Sequence, residues 1–341
     1  MNVYVITGVL GFAGGHFAQL VLNKDFTDIV IGIDKVTYVS NLGLLQMYED
    51  IGRIAGVHSR VVFGQYDIND VEHINDCDFF INFAASTHVD VSISSQAPFI
   101  NNNVNGVVNI LEKIRQKPKH LRPLFVQIST DEVYGDLSNE TMAKLTGFLP
   151  SDKLNPSNPY AASKAMADTY IEAYCKTFGI EYVIIRLTNM YGRNQYPEKL
   201  IPKTLQCLTR EKKIPLYGNG FQSRTWLHVD DACKGIYLLL QQIQNGKAEK
   251  NKIYHISGTT TLANISVINT IVRNYTGENL ADSECAKKYC VNVDNRPSED
   301  RLYFLNDSEF RKQTGFTEER QFDEAIEDIV LYEKDNISFR V

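Results

Sequence analysis

An α/β fold, a doubly wound parallel sheet with a smaller C-terminal lobe, is what this sequence predicts, on three observations. Apolar runs of strand length alternate with longer amphipathic stretches through about residue 190, the signature of βαβ units. A glycine-rich turn joins the first such run directly to a helix-forming stretch. After residue 190 the regularity lapses, with Pro197, Pro202, Pro215 and the turn "YGNG" breaking the chain up.

The strands follow in order as "VYVITG", "DIVIGID", "RVVFGQYDI", "CDFFINFAA", "PLFVQIST" and "YVIIRLTN". Between the fourth and fifth, residues 98–117 begin with proline at a first helical position. They carry Val104, Val107, Val108, Leu111 and Ile114 at helical spacing and place Lys113, Arg115 and Lys117 at the negative end. A second helix runs from Tyr160 to Phe178 and stops at Gly179. The expected division is a nucleotide-binding domain over 1–190, which also receives 225–258, and a substrate lobe over 191–341.

Composition narrows the function classes. With 35 Lys and Arg against 41 Asp and Glu, the net charge of −6 gives no electrostatic reason to expect nucleic acid. The opening "MNVYVITG" has no signal-peptide pattern, and no apolar run reaches membrane-spanning length, so a cytoplasmic protein with no membrane partner is expected. Six scattered cysteines without a Cys-x-x-Cys suggest reduced thiols and no metal.

The chemistry is concentrated in three places. "TGVLGFAGGH" sets Gly8, Gly11 and Gly14 between strand and helix, where backbone N–H groups can meet a pyrophosphate. Asp34 closes the second strand twenty residues after Gly14, placed to accept from a ribose 2′-hydroxyl and to repel a 2′-phosphate. This favours NAD over NADP, and the adjacent Lys35 works the other way. Asp67 and Ile68 are candidates to flank the adenine. "NPYAASKAMAD" stacks Tyr160 and Lys164 one turn apart, so an ammonium would favour a phenolate able to take an alcohol proton, with Thr130 on the same oxygen. Finally, "STDEVYG" puts Asp131 and Glu132 side by side at the end of the fifth strand; an adjacent acidic pair in a loop is ordinary by itself, and its meaning comes from these neighbours.

Together these residues resemble the extended short-chain dehydrogenase/reductases with a Rossmann-type fold, and specifically the nucleotide-sugar 4,6-dehydratase family. "GFAGGH", "DKVTY", "NFAASTHVDVSI", "PSNPYAASKA", "NMYGRNQYPEKLIP", "PLYGNG", "RTWLHVDD" and "NRPSEDR" occur in the family's order over nearly the whole chain. The resemblance implies NAD as cofactor, with Phe12 and Ala84 among its contacts, and a nucleoside-diphosphate hexose as substrate, dTDP-glucose foremost. It implies that Tyr160, Lys164 and Thr130 act at sugar C4, that Glu132 is the C5 base, and that Asp131 is the acid on the C6 hydroxyl. It also implies substrate contacts from Asn189, Lys199, Arg224, Asn264, Arg296 and Arg301, and a homodimer packed through helices 98–117 and 160–178. Burial of Asp131 would separate its pKa from that of Glu132.

Departures from the family pattern gather around the nucleotide and the sugar: Ser86 for glutamate, Thr87 for serine, Val91 for arginine, Met190 for asparagine, Arg193 for proline and Glu299 for histidine. They leave dTDP, UDP, CDP and GDP open. His88 and Asp90 are candidates for the nicotinamide pocket. Two other readings stand beside dehydration: a 4-epimerase or other oxidoreductase on the same scaffold, and a non-catalytic nucleotide binder, which would have no use for an acid, a base and a phenolate together.

Overall fold

A computed structural model describes residues 1–54, 60–137 and 146–336. Seven strands form the central sheet: β1 (Val3–Thr7), β2 (Ile29–Asp34), β3 (Val61–Gln65), β4 (Phe79–Asn82), β5 (Leu124–Thr130), β6 (Tyr182–Leu187) and, much later in the chain, Lys252–Ile256. The sheet reads Lys252–Ile256, β6, β5, β4, β1, β2, β3, and every pairing is parallel. Strand order reverses between β1 and β4, and the crevice beyond their carboxyl ends is where such a sheet takes its ligand.

Every residue of β4, β5 and β6 is buried, as a parallel sheet covered on both faces requires. One face is covered by α1 (Phe12–Lys24) and α2 (Gly43–Ile54), with Phe17, Val21 and Tyr48 in its core. The other is covered by α3 (Gly106–Gln116) and α4 (Pro159–Phe178), with Val107, Ile110 and Ile171 packed on Phe80 and Phe125. Helix α4 starts as its sequence dictates: Asn158 Oδ1 accepts from the Ala161 N–H at 2.9 Å, Pro159 occupies the first turn, and Gly179 closes the helix at φ 64°.

The single helix expected over 98–117 is instead interrupted. A short α turn (Ala97–Phe99) leads into a π-helical stretch (Ile100–Asn105) before α3 begins. The widened turn accompanies the inward amide of Asn103, which bonds the backbone N–H and carbonyl of Ser86 and the Ser163 hydroxyl at 2.7–2.9 Å.

The second lobe holds β7 (Asn189–Tyr191), α5 (Leu200–Thr209), β8 (Ile214–Tyr217) and β9 (Ser223–His228). From there α6 (Val229–Gln244) and β10 (Lys252–Ile256), the seventh strand above, return to the first lobe. The chain crosses again into β11 (Thr260–Ala263), α7 (Asn264–Thr276), α8 (Asp282–Tyr289) and β12 (Cys290–Val293). It then runs through α9 (Ser308–Thr314) to α10 (Phe322–Asn336). The order β11, β9, β7 makes a three-stranded sheet, and β12 pairs with β8. The returning segment is therefore narrower than 225–258, because Thr225–His228 belong to the second lobe's sheet. Helix α9 joins the first lobe too, burying Phe310 in the core that holds Ile236 and Leu239 of α6. Among the described residues no helix is long and apolar enough to cross a membrane.

Candidate active site

A cavity of about 990 Å³ lies where the crevice of the sheet meets the second lobe. Gly8, Gly11, Phe12, Gly14, Asp34, Lys35, Asp67, Ile68 and Ala84 all line one part of it. The glycines are required by packing: Gly8 sits at φ 66°, and a Cβ on Gly14 would lie 2.2 Å from the Gly8 carbonyl oxygen. Helix α1 begins at this loop with no side-chain cap, which leaves its first N–H groups for a ligand. The Asp34 carboxylate accepts from the N–H groups of Leu10 (3.0 Å) and Val36 (2.8 Å), which fixes it at the strand end. Lys35 Nζ donates to Asn102 Oδ1 at 2.9 Å and to Asp67 Oδ2 at 3.3 Å. Its charge is thus drawn to Asp67, and the ribose end of the pocket keeps the anionic character of Asp34. A glycine cradle at an uncapped helix start beside an oriented carboxylate fits an adenine dinucleotide with a free 2′-hydroxyl.

The reactive groups come from the carboxyl end of β5 and the first turns of α4. Thr130, Glu132, Tyr160 and Lys164 line the cavity, and Asp131 lies buried beneath them at 1% exposure. Thr130 Oγ1 donates to Asp131 Oδ1 at 3.2 Å and accepts from the Glu132 N–H at 3.3 Å, holding the tight 3₁₀ turn Asp131–Tyr134. The other Asp131 oxygen has no partner among the described residues. Burial first, and then the charge of Glu132, push the Asp131 carboxyl up to about 8, so near neutrality it carries its proton. Glu132 Oε2 accepts from Asn158 Nδ2 at 3.1 Å. Asn158 thereby caps α4 with one atom and orients the Glu132 carboxylate with another. The Asn-Pro pair signals the cap from sequence, but nothing local signals the second bond.

Burial raises the Tyr160 phenol above its ordinary value, and Glu132 adds to this, while a hydrogen bond with Thr130 opposes it. Lys164 lies one turn on, as the spacing requires, but its ammonium donates to the Ile128 carbonyl at 2.6 Å. Burial lowers the ammonium to about 8, with Asp168 opposing. Asp168 is itself held by Arg186 Nε and the Ser129 hydroxyl, both at 3.0 Å. Helix α4 is thus tied to β5 and β6 by a buried charged cluster.

Asn189, Lys199, Arg224, Asn264 and Arg296 reach the same cavity from the second lobe. Lys199 Nζ bonds the Thr87 carbonyl at 2.8 Å, across the lobes. Arg296 grips Asp90 through Nε (2.5 Å) and Nη2 (2.9 Å) and stacks over the Tyr217 ring at 4.5 Å. Burial alone would raise the Asp90 carboxyl, but the guanidinium holds it below its ordinary value. Asp90 is therefore engaged by Arg296, while His88 lines the cavity beside it. Arg301 is not brought in: it is exposed and outside the lining, and its backbone carbonyl accepts from the Ser223 N–H at 2.8 Å. The sequence reading missed Tyr303 as well as Asn158. Tyr303 lines the cavity, donates to Asp300, which also accepts from Ser157, and carries Arg224 over its ring at 4.6 Å.

The sequence model of the family described as GDP-mannose 4,6 dehydratase matches residues 5–329. The chain is 32% identical to the dTDP-glucose 4,6-dehydratase of Escherichia coli, over 94% of this chain and 90% of that one. The chain belongs to the nucleotide-sugar 4,6-dehydratase family. Its fold is similar to that of DesIV, the dTDP-glucose 4,6-dehydratase of Streptomyces venezuelae, whose structure was solved with NAD bound. That match has a TM-score of 0.86 and 30% identity, covering 99% of this chain and 98% of that one. UDP-glucuronic acid 4-epimerase from Bacillus cereus shares the fold at a TM-score of 0.81 and 22% identity, covering 98% and 99% of the two chains. The scaffold thus serves dehydratase and epimerase alike, and what sets the reading of this dehydratase-family member is its reactive groups.

Proposed function

We propose that this chain dehydrates a nucleoside-diphosphate hexose, dTDP-glucose first, to its 4-keto-6-deoxy sugar, with NAD as resident cofactor. The observation that carries the reading is the pairing of Asp131, buried with one carboxylate oxygen unpartnered among the described residues, with an adjacent cavity-lining Glu132, and burial pushes the Asp131 carboxyl up to about 8. NAD, when bound, would supply a hydride acceptor for sugar C4 and a hydride donor for C6. The positive charge of bound NAD, together with the Lys164 ammonium, would oppose the burial that raises the Tyr160 phenol, and the resulting phenolate, hydrogen-bonded with Thr130, would take the proton of the C4 hydroxyl. With C4 a ketone, the C5 proton is acidic and passes to Glu132, which gives a proton back to C5 when C6 receives hydride, so that solvent deuterium can enter there. Asp131 gives its proton to the C6 hydroxyl, which leaves as water; without a donor the leaving group would be hydroxide. Gly8, Gly11, Phe12, Gly14, Asp34, Lys35, Asp67, Ile68 and Ala84, with Tyr160 and Lys164, would hold the dinucleotide. Asn189, Lys199, Arg224, Asn264 and Arg296 would hold the nucleoside diphosphate.

The test is mass spectrometry of products from dTDP-glucose, UDP-glucose, UDP-N-acetylglucosamine, CDP-glucose and GDP-mannose, incubated separately with NAD in deuterated water. Loss of water with deuterium retained at C5 is expected from at least one. Inversion at C4 without mass loss would make the protein an epimerase and remove the role given to Asp131, and silence across the panel would sink both. Arg296→Lys is expected to raise KM for the substrate about tenfold with a smaller change in kcat, because an ammonium cannot hold Asp90 through two nitrogens and still present a donor to phosphate. An unchanged KM would remove Arg296 from the substrate site.

The same reading includes a homodimer and a cytoplasmic location. Ile100, Met166, Tyr170 and Phe178 expose apolar surface on the two helical segments expected to pair, and the six cysteines are free thiols. Sedimentation at micromolar concentration tests the dimer, and a monomer would exclude it.

A further inference from the structure

Three hydrogen bonds that play no part in the mechanism fasten one stretch of the second lobe to the first. The stretch is 193–199, between β7 and α5, and it has no helix or strand of its own. His16 of α1 reaches its start, with Nε2 3.2 Å from the Arg193 carbonyl oxygen. Tyr38, in the loop after β2, donates from its hydroxyl to Glu198 Oε2 at 3.2 Å and meets the Tyr196 ring edge to face at 5.2 Å. Lys199 closes the stretch with its bond to the Thr87 carbonyl, in the loop after β4.

The position of these anchors gives their meaning. Helix α1 opens on the glycine turn and the Tyr38 loop follows Asp34, so the first two anchors stand on the two elements that flank the pyrophosphate and ribose end of the cavity. Asn194, Gln195, Tyr196 and Glu198 line that same cavity, as does Tyr38. A segment fixed on both sides of a pocket and lining it in between crosses its mouth. Tyr38 is 68% exposed, so its ring adds little to the core and its contacts serve the crossing.

The His16 anchor depends on a proton by its geometry. Nδ1 lies 3.1 Å from Asp230 Oδ1. The bond from His16, above all, holds the Asp230 carboxyl down to about 2, and its other oxygen accepts from Arg320 at 3.3 Å. The neighbouring groups are otherwise engaged: His228 Nδ1 accepts from the Asp230 N–H, Asp231 accepts from the N–H groups of Glu319 and Arg320, and the Arg193 guanidinium is turned to Asp328. Both partners of the His16 ring are therefore acceptors, and only a ring with a proton on each nitrogen donates to both. A neutral ring gives up one bond.

We infer that residues 193–199 are a strap closed over the bound dinucleotide, and that His16 and Tyr38 hold it shut and so slow the release of NAD. The inference rests on the reading of NAD as resident cofactor. A reaction that returns the hydride within each cycle has no need to exchange its dinucleotide, so a strap that opens slowly does not limit turnover.

The test is the dissociation rate of radiolabelled NAD from the loaded protein, chased with excess unlabelled NAD in the absence of sugar. Tyr38→Phe keeps the ring against Tyr196 and deletes the donor to Glu198. His16→Gln is uncharged, and its single amide nitrogen cannot serve both acceptors. At about pH 6 each variant is expected to release NAD roughly tenfold faster than wild type. Wild-type release should also accelerate as pH rises from about 5.5 to about 8.5, and H16Q should lack this acceleration. Asp131 and Lys164 titrate near 8 in both proteins, so the difference between the two profiles reports on His16. A wild-type rate in either variant, or parallel profiles for wild type and H16Q, overturns the inference. If calorimetry finds no NAD binding, the cofactor reading fails and the strap with it, whereas tight binding with unaltered release sinks the strap alone.

Discussion

Glu132→Gln is expected to lower turnover by roughly 10²–10⁴-fold, the range carried by a positioned general base, with KM changed far less. The amide keeps the size of the side chain and can accept from Asn158 as the carboxylate does at 3.1 Å, so the turn and the cap of α4 should survive. What is lost is the ability to hold a proton taken from C5. The discriminating readout is isotopic: wild type should place deuterium at C5 from deuterated water, and E132Q should not, even in single-turnover reactions with excess enzyme. A second consequence follows from charge. After burial, the Glu132 carboxylate is the largest influence raising both Asp131 and Tyr160, so its neutralisation lets both fall. Residual activity in E132Q should then decline at a lower pH than in wild type. Retention of C5 exchange in E132Q would assign the base to another group.

The parts of the fold legible in the sequence are those where local pattern and tertiary demand coincide. Strands β4 to β6 stand out because a parallel sheet buried on both faces needs unbroken apolar runs, and the nucleotide turn because only glycine fits a Cβ position 2.2 Å from a carbonyl oxygen. The Tyr160 and Lys164 spacing was legible as helix geometry, but the Ile128 carbonyl that receives the ammonium belongs to a strand 36 residues away, and no periodicity reports it. The Asp90 and Arg296 grip spans 206 residues and two lobes, so an arginine read as free for phosphate is already shared with a carboxylate. Arg301 has the right residue type in a motif, yet it sits next to buried Asp300 and Tyr303 on a segment that turns it outward. The π-helical stretch before α3 was illegible for the same reason: its register is set by Asn103 bonding Ser86 and Ser163 across the packing interface.

Asp131→Asn separates function from stability and gives them opposite signs. An acid that must deliver a proton works only in its protonated form. With the folded carboxyl raised to about 8, wild-type turnover should hold through neutrality and fall as pH rises past about 8, approaching a tenfold loss per pH unit. Asparagine has no proton to give, so D131N should lose roughly 10²–10⁴-fold in dehydration while still exchanging the C5 hydrogen, because Glu132 remains in place. The linkage to folding runs the other way. Unfolded, the carboxyl titrates near its ordinary 3.8, so between that value and about 8 the folded state binds the extra proton. The stability this confers is complete below the unfolded value and is lost as pH rises through the folded one, where a charge must be carried in a site with an oxygen that has no partner among the described residues. An amide carries no such charge at any pH. The thermal midpoint of D131N should therefore gain on wild type as pH is raised from 6 to 9, even though the variant is nearly inactive throughout. Midpoints that stay parallel across that range would mean the Asp131 carboxyl is not held protonated by burial, and the assignment of Asp131 as the acid would lose its physical basis.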